Sequence, residues 1–234
     1  MKKVSVIIFA VALVVGLVAV NFFSFGTSAA SIFKFSMNFG RCVRGSGHIS
    51  TEKRSVSGFT AIETGGIYQV TIVAQKEFGL EVEADDNLLP LITTEVHDGV
   101  LRIGSEKRIK SASPIRIRVS APDVDRLDIS GVADVTLSGL SNSKLDLEAS
   151  GASKVTISGE TTKIVVDVSG ASRIYANDLR TKSATIDASG ASHVSVNVSE
   201  DIRSDISGAS SISYSGSPRS VVTHKSGAGS IAAK

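Results

Sequence analysis

Acidic side chains recur at one fixed offset from a glycine. Three residues before Gly66, Gly131, Gly151, Gly170, Gly190 and Gly208 stand Glu63, Asp128, Glu148, Asp167, Asp187 and Asp205. If these segments stack as neighbouring strands, the carboxylates form a row with neighbours about 5 Å apart. Two chemistries use such a row. Several carboxylate oxygens together hold Ca2+. A carboxylate pair at about 5 Å also meets the separation of a retaining glycosidase, provided that burial or a close partner raises the pKa of one acid. Stacked strands supply the spacing automatically, so the geometry selects neither chemistry. Ser and Thr flank the column, which reads first as a solvated face. Asp128, Glu148, Asp167, Asp187 and Asp205 are its candidate binding residues, with Ca2+ the one cofactor they suggest and no catalytic residue among them.

Three residues after the glycines stand Asp134, Lys154, Arg173, His193, Ser211 and Ser230. The mixed signs suit a surface, with Lys154, Arg173 and His193 the candidates for contacting an anionic ligand. The remaining histidines (His48, His97 and His224) show no metal-ligand spacing. The many serines lack the Gly-x-Ser-x-Gly elbow, and nothing in the sequence sets a base beside any of them, so a stacked hydroxyl ladder accounts for them better than nucleophilic catalysis. Cys42 is the only thiol, which rules out an internal disulfide. Phe39 and Arg41 occupy the places where a lipoprotein attachment site needs Leu and a small residue.

The elements that position these columns follow from the repeat itself. Ser-Gly-Val/Ala recurs at Gly131, Gly151, Gly170, Gly190, Gly208 and Gly227, with spacings of 20, 19, 20, 18 and 19 residues. A fixed period of this size means one supersecondary unit stacked on copies of itself. Helical repeats are longer, about 33–47 residues, and no 3.6-residue period is present. Aligned on the glycine, the columns six, four and two before it and four after it are mostly aliphatic. Leu127, Leu147, Val166 and Ile186 make up most of one such column, and Val135, Val155, Ile174 and Val194 make up most of another. The columns between are mostly polar. Each coil therefore holds two half-buried strands with the Ser-Gly-Ala triplet as the bend. Polar residues enter the aliphatic columns at Asp125, Ser204, Thr223 and Lys225, toward the ends, where a solenoid needs caps.

Residues Phe59–Ile72 repeat the pattern of Val124–Leu137, with Gly66 in the glycine position. The spacing of 65 from Gly66 to Gly131 leaves room for two or three irregular coils. Within them Gly79–Glu83 and Ile115–Val119 alternate as strands, Asp85–Leu89 reads as a short helical turn stopped at Pro90, and Glu95–Ile103 reads as a hairpin turning at Asp98-Gly99. The expected fold is all-β, a parallel β-solenoid of about 19–20 residues per coil. The domain runs from 45 to 234, irregular over 45–124 and regular over 125–234, after a tether at 31–44.

Composition narrows the function. The net charge is zero from residue 31 onward and −3 from residue 45 onward, so no basic footprint for nucleic acid exists. Seven of the nine Phe precede residue 40 and there is no Trp, which leaves few rings for a base-stacking platform. Residues 1–30 begin Met1-Lys2-Lys3, continue as an apolar run Val4–Val20 with Ser5 its one polar residue, and reach Ser28-Ala29-Ala30. That pattern is a cleaved signal peptide or an uncleaved membrane anchor over residues 4–25. Both place the domain outside the cytoplasm, in the periplasm or at the cell surface.

The chain resembles exported bacterial proteins that carry the auto-transporter adhesin head domain, the GIN domain. The resemblance rests on Gly45-Ser46-Gly47; on Val56-Ser57-Gly58-Phe59 with Ile62 and Gly66; and on the Glu83-Ala84-Asp85-Asp86-Asn87-Leu88-Leu89 stretch. Asp98-Gly99-x-Leu101-x-Ile103 and the recurring Ser-Gly-Ala-Ser complete it. It implies a right-handed parallel β-helix and carries no catalytic residues to transfer. The expected function is a non-catalytic exported module that presents an extended face to a polysaccharide or a cell-envelope protein. The alternatives are a polysaccharide-active β-helix enzyme, whose cleft would have to come from the insert at 79–118, and a structural or signalling domain held at the membrane. A terminal coil with unpaired strand edges would also permit end-to-end self-association.

Overall fold

The computed structural model describes residues 42–234; the leader and residues 31–41 of the expected tether lie outside them. In chain order the strands of the first half are β1 (Val43–Arg44), β2 (Ile49–Arg54), β3 (Ala61–Gly66), β4 (Tyr68–Val73), β5 (Gly79–Asp85), β6 (Ile92–His97), β7 (Val100–Ser105), β8 (Ile109–Lys110) and β9 (Ile115–Ser120). The regular half holds β10 (Arg126–Gly131), β11 (Asp134–Ala149), β12 (Lys154–Val168), β13 (Arg173–Ala188), β14 (His193–Gly208), β15 (Ser211–Ser215), β16 (Ser220–Gly227) and β17 (Ser230–Ala233). Parallel pairing stacks them in two faces that meet at the Ser-Gly corners. The first face runs β7, β3, β10, the C-terminal parts of β11 to β14, and β16. The second runs β9, β4, the N-terminal parts of β11 to β14, then β15 and β17. The fold is thus the expected β-solenoid.

Registers follow the sequence columns. Leu127, Leu147, Val166 and Ile186 are partners in successive strands and are buried, as are Val135, Val155, Ile174 and Val194. Glycine is required at the corner for two reasons. Gly151 has φ +90°, and a Cβ there would sit 2.4 Å from the carbonyl oxygen of Gly131. That close approach lets the Ala152 N–H donate to the same oxygen at 2.9 Å. Ser153, Ser172, Ser192 and Ser210, two residues after the glycines, also turn inward and are buried. The Ser153 and Ser172 hydroxyls lie 3.1 Å apart, and the Ser192 hydroxyl donates to the Ser189 carbonyl at 2.8 Å. The inward hydroxyl ladder is therefore built by these residues. The serines preceding the glycines instead reach carbonyls of the neighbouring coil, as Ser130 does to Thr64 and Ser189 to Val168.

The insert corrects the expected coil order. Gly131 pairs directly with Gly66, so no coil separates them. Residues between them return to the other side of β3 and β4, where β7 and β9 build one coil. Antiparallel strands then end the stack, β6 on β7 and β5 on β9 with β2 outside it. A solenoid starting at β3 would expose a parallel edge; this arrangement covers it. The Asp98-Gly99 hairpin forms as expected, with φ of +51° and +75°. The helical turn is displaced. Strand β5 continues through Asp85, and a 3-10 turn spans Leu89–Leu91 with Pro90 inside it, where the missing N–H costs nothing. Strand β1 pairs with β8, so the folded part takes in Val43 and Arg44 from the segment read as tether.

Candidate functional site

The two columns of polar residues singled out by the repeat stand on the outward sides of the two faces, either side of the Ser-Gly corner. On the first face the acidic column is continuous in register: Glu63, Asp128, Glu148, Asp167, Asp187, Asp205. Cationic or titratable side chains end it, Arg102 beside Glu63 and His224 beside Asp205. Arg102 Nε lies 3.1 Å from Glu63 Oε2, and Arg126 Nη2 lies 3.3 Å from Glu148 and 3.8 Å from Asp128. Among the described residues Asp167, Asp187 and Asp205 have no ion pair. Burial pushes the Asp128 carboxyl up, Glu148 and Glu63 add to that, and Arg126 opposes it. Partial burial likewise raises Asp187, helped by Asp205 and Asp167.

A raised carboxyl beside a charged one is what a glycosidase requires, and a glycosidase also needs a cleft around the pair. Among the described residues the row borders a shallow, open depression of about 270 Å³ lined by Asp167, Asp187, Asp205, Ser189 and His224. A second shallow depression, about 440 Å³, lies between the Asp98-Gly99 turn and residues 142–146, and there Lys144 holds Asp146 at 2.7 Å. The insert at 79–118 offers no free pair either, because Glu83 and Glu81 are tied to Arg116 and Arg118 across β5 and β9. Among the described residues no three His, Cys, Asp or Glu side chains converge as metal ligands.

On the second face Arg116, Gln69, Asp134, Lys154, Arg173, His193, Ser211 and Ser230 stand in register. Lys154 reaches Asp134 at 3.8 Å, and Arg173 has no ion pair among the described residues. His193 is fixed by two hydroxyls, Ser211 Oγ at 2.8 Å from Nδ1 and Ser195 Oγ at 3.0 Å from Nε2. Ser195 Oγ in turn lies 2.8 Å from Ser213 Oγ, and Ser195 is only 1% exposed. The Tyr175 ring stands beside the imidazole, 6.2 Å between centroids. Sequence spacing identified His193 and Ser211 but not the rest of the cluster, because Tyr175, Ser195 and Ser213 lie two positions further along each strand.

A third cluster explains the Gly45-Ser46-Gly47 and Asp85-Asp86-Asn87 residues. Asp85 accepts from the Ser111 hydroxyl and, at 2.6 Å, from the Gly47 N–H, and Asp86 accepts from the Ser46 hydroxyl and the Asn87 N–H. Asn87 closes the clasp, donating to the Arg44 carbonyl at 2.9 Å and accepting from Ser46 N–H at 2.9 Å. These hydrogen bonds hold both carboxyls below the usual aspartate value. The clasp docks the entering chain rather than presenting a reactive group.

Comparison with known proteins agrees with this architecture. Residues 58–218 match the family described as "putative auto-transporter adhesin, head GIN domain". Among solved structures, the fold is similar to that of a protein described as a putative adhesin from Bacteroides fragilis, 21% identical with a TM-score of 0.68, over 82% of this chain and 100% of that one. It is also similar to one described in the same words from Parabacteroides distasonis, 18% identical with a TM-score of 0.53, over 83% of this chain and 100% of that one. At these identities the likeness is one of fold. No curated protein matches the sequence. The family match spans well over half of the 234 residues, and the chain belongs to that GIN-domain family.

Proposed function

We propose that this protein is an exported, non-catalytic, adhesin-like module that presents a solenoid face to a surface polysaccharide or, failing that, to a cell-envelope protein. The observation that carries the reading is the pair of outward faces, which run in register from coil to coil without loops that would build a cleft. Repeating hydroxyl and charged columns at about 4.8 Å suit a repeating polar ligand. In this reading Asp128, Glu148, Asp167, Asp187 and Asp205 keep the first face anionic, open to polycations or Ca2+ and closed to acidic polymers. The leader delivers the domain to the periplasm or the surface, anchored at the inner membrane if residues 4–25 are retained.

Binding of the purified protein to a polysaccharide and envelope-component array, with Ca2+ or chelator and with reducing ends followed, tests the reading. Captured glycan without new reducing ends supports it. Released sugar would replace it with an enzyme, and silence on all glycans would leave the protein partner.

A further inference from the structure

We propose that Arg173, Tyr175 and His193 on the second face form a subsite for one acidic sugar unit, a hexuronate, of the polymer that the preceding reading assigns to this module; the inference rests on that reading and names the ligand class and the face that takes it.

Three observations converge on this patch. The first is the ring. Tyr175 and Tyr214 are the only Phe, Tyr or Trp residues after residue 124, and Tyr214 packs against the core, so Tyr175 is the one such ring on the outward side of the regular coils. A half-exposed ring supplies an apolar platform for the C–H face of a sugar and a hydroxyl for its rim. The second is an uncommitted cation. Arg173 has no ion pair among the described residues, whereas its neighbour Lys154 faces Asp134 at 3.8 Å. A guanidinium fork matches a carboxylate bidentately. The third is an imidazole ring already held in place. His193 is the register partner of Arg173 on the next coil, and hydroxyls of Ser211 and Ser195 hold both its ring nitrogens at 2.8 and 3.0 Å. A side chain fixed before the ligand arrives costs less to order on binding.

The spacing sets the ligand's size. Arg173 and His193 are one coil apart, about 5 Å, and Arg173 and Tyr175 are two residues apart on one side of a strand, about 7 Å. The Tyr175 and His193 rings are 6.2 Å apart. The triangle fits a single sugar ring. Charge sets its class and its face. The unpaired carboxylates Asp167, Asp187 and Asp205 lie across the corner on the first face and repel a polyanion there. On the second face the register neighbour Asp134 is ion-paired with Lys154, which leaves Arg173 without a carboxylate partner among the described residues; the unpaired Asp178 stands five residues further along the strand, where its register shifts. A polyuronate therefore lies along the second face, its affinity built from repeated weak contacts and weakened by salt.

The test compares polygalacturonate, alginate and hyaluronate with neutral amylose, using the whole protein and the variants Arg173→Ala, Tyr175→Ala and Asp187→Asn. All three positions face outward, and cooperative melting above the temperature of the unaltered protein, or no more than about 2 °C below it, confirms that the variants fold. At least one acidic polymer is expected to bind, with affinity about tenfold weaker in each of the first two variants and unchanged or tighter in Asp187→Asn. Binding of an acidic polymer that ignores Arg173 and Tyr175 would overturn the subsite and leave the module reading standing. Binding of amylose alone would overturn the acidic class and leave that reading standing. Binding of none of the four polymers would overturn the subsite and leave the module reading to its protein partner.

Discussion

Asp187 carries its charge at a cost: partial burial and the carboxylates of Asp205 and Asp167 all favour its protonated form. Asp128 is in the same position for the same first reason. For an acid whose pKa is raised by folding, the destabilisation is present above the folded value and is relieved as pH falls toward the unfolded one. Asp85 and Asp86 have the opposite sign, because the hydroxyls of Ser111 and Ser46 and the backbone N–H groups of Gly47 and Asn87 favour their charged forms. Their contribution is present above the ordinary aspartate value of 3.8 and is lost as pH falls through their lowered values. Melting temperature should therefore rise slightly as pH is lowered from neutral toward 3.8, then drop below it. Asp187→Asn should remove the rise at its own position and stabilise the neutral protein by about 0.3–0.5 kcal/mol after solvent screening, or about 1–2 °C. A melting profile against pH for the two proteins checks this. A lower melting temperature for Asp187→Asn at neutral pH would show that the row is held by something other than repelling charges.

The corner is the element that makes stacking possible, and two glycines of similar backbone conformation separate its two requirements. Gly47 has φ +87° and open space where a methyl group would project, whereas at Gly151 with φ +90° the same methyl would lie 2.4 Å from the Gly131 carbonyl oxygen. Gly47→Ala should cost only the conformational term, about 1 kcal/mol, while Gly151→Ala adds a steric conflict with the coil beneath and should cost at least about 2 kcal/mol. Urea unfolding of the two variants measures the difference; equal losses would mean that the coils part easily at the corner. The corner also marks the limit of what sequence patterning reveals. The four aliphatic columns could be read directly, because apolar residues at even offsets have one physical meaning. The inward column of Ser153, Ser172, Ser192 and Ser210 could not, since Ser-Gly-Ala-Ser looks polar throughout. Only the satisfied hydroxyls, such as Ser192 donating to Ser189, explain why serine is tolerated inside. The same limit applies at the candidate subsite, where Arg173 and His193 stood out by charge but Tyr175 and Ser195 gained meaning from neighbours on adjacent coils.

At the scale of the whole described unit, the two ends of the stack are closed by different means. Periodicity revealed the coils but not their order, because the insert follows the Gly66 coil in sequence yet lies on its far side in space. That end finishes in antiparallel strands, and Arg54 pins β2 to the Leu89 and Ile92 carbonyls at 2.8 and 2.6 Å. The other end stays parallel. Strands β16 and β17 present an unpaired edge, with Val221 and Val222 exposed. Three devices blunt it. Gly229 occupies the position of the buried serines, and a Cβ there would sit 2.3 Å from Ile206 Cγ2, so the last corner draws in over Ile206. Thr223 and Lys225 stand in columns that are mostly aliphatic in the coils below, Lys225 directly above Ile206. Residues 206–234 hold no acid, so Arg219 and Lys225 would meet like charges in a second copy stacked tail to tail. An inward-column lysine at a sheet edge is a known defence against pairing, since a stacked strand would bury its charge without a partner. The intact protein should therefore remain a monomer on sedimentation, and Lys225→Val should associate at least tenfold more tightly through the same edge. Association of the unaltered protein that Lys225→Val leaves unchanged would place the contact elsewhere, and a monomeric Lys225→Val at the highest soluble concentration would show that the tapered corner at Gly229 is a sufficient cap without the charge.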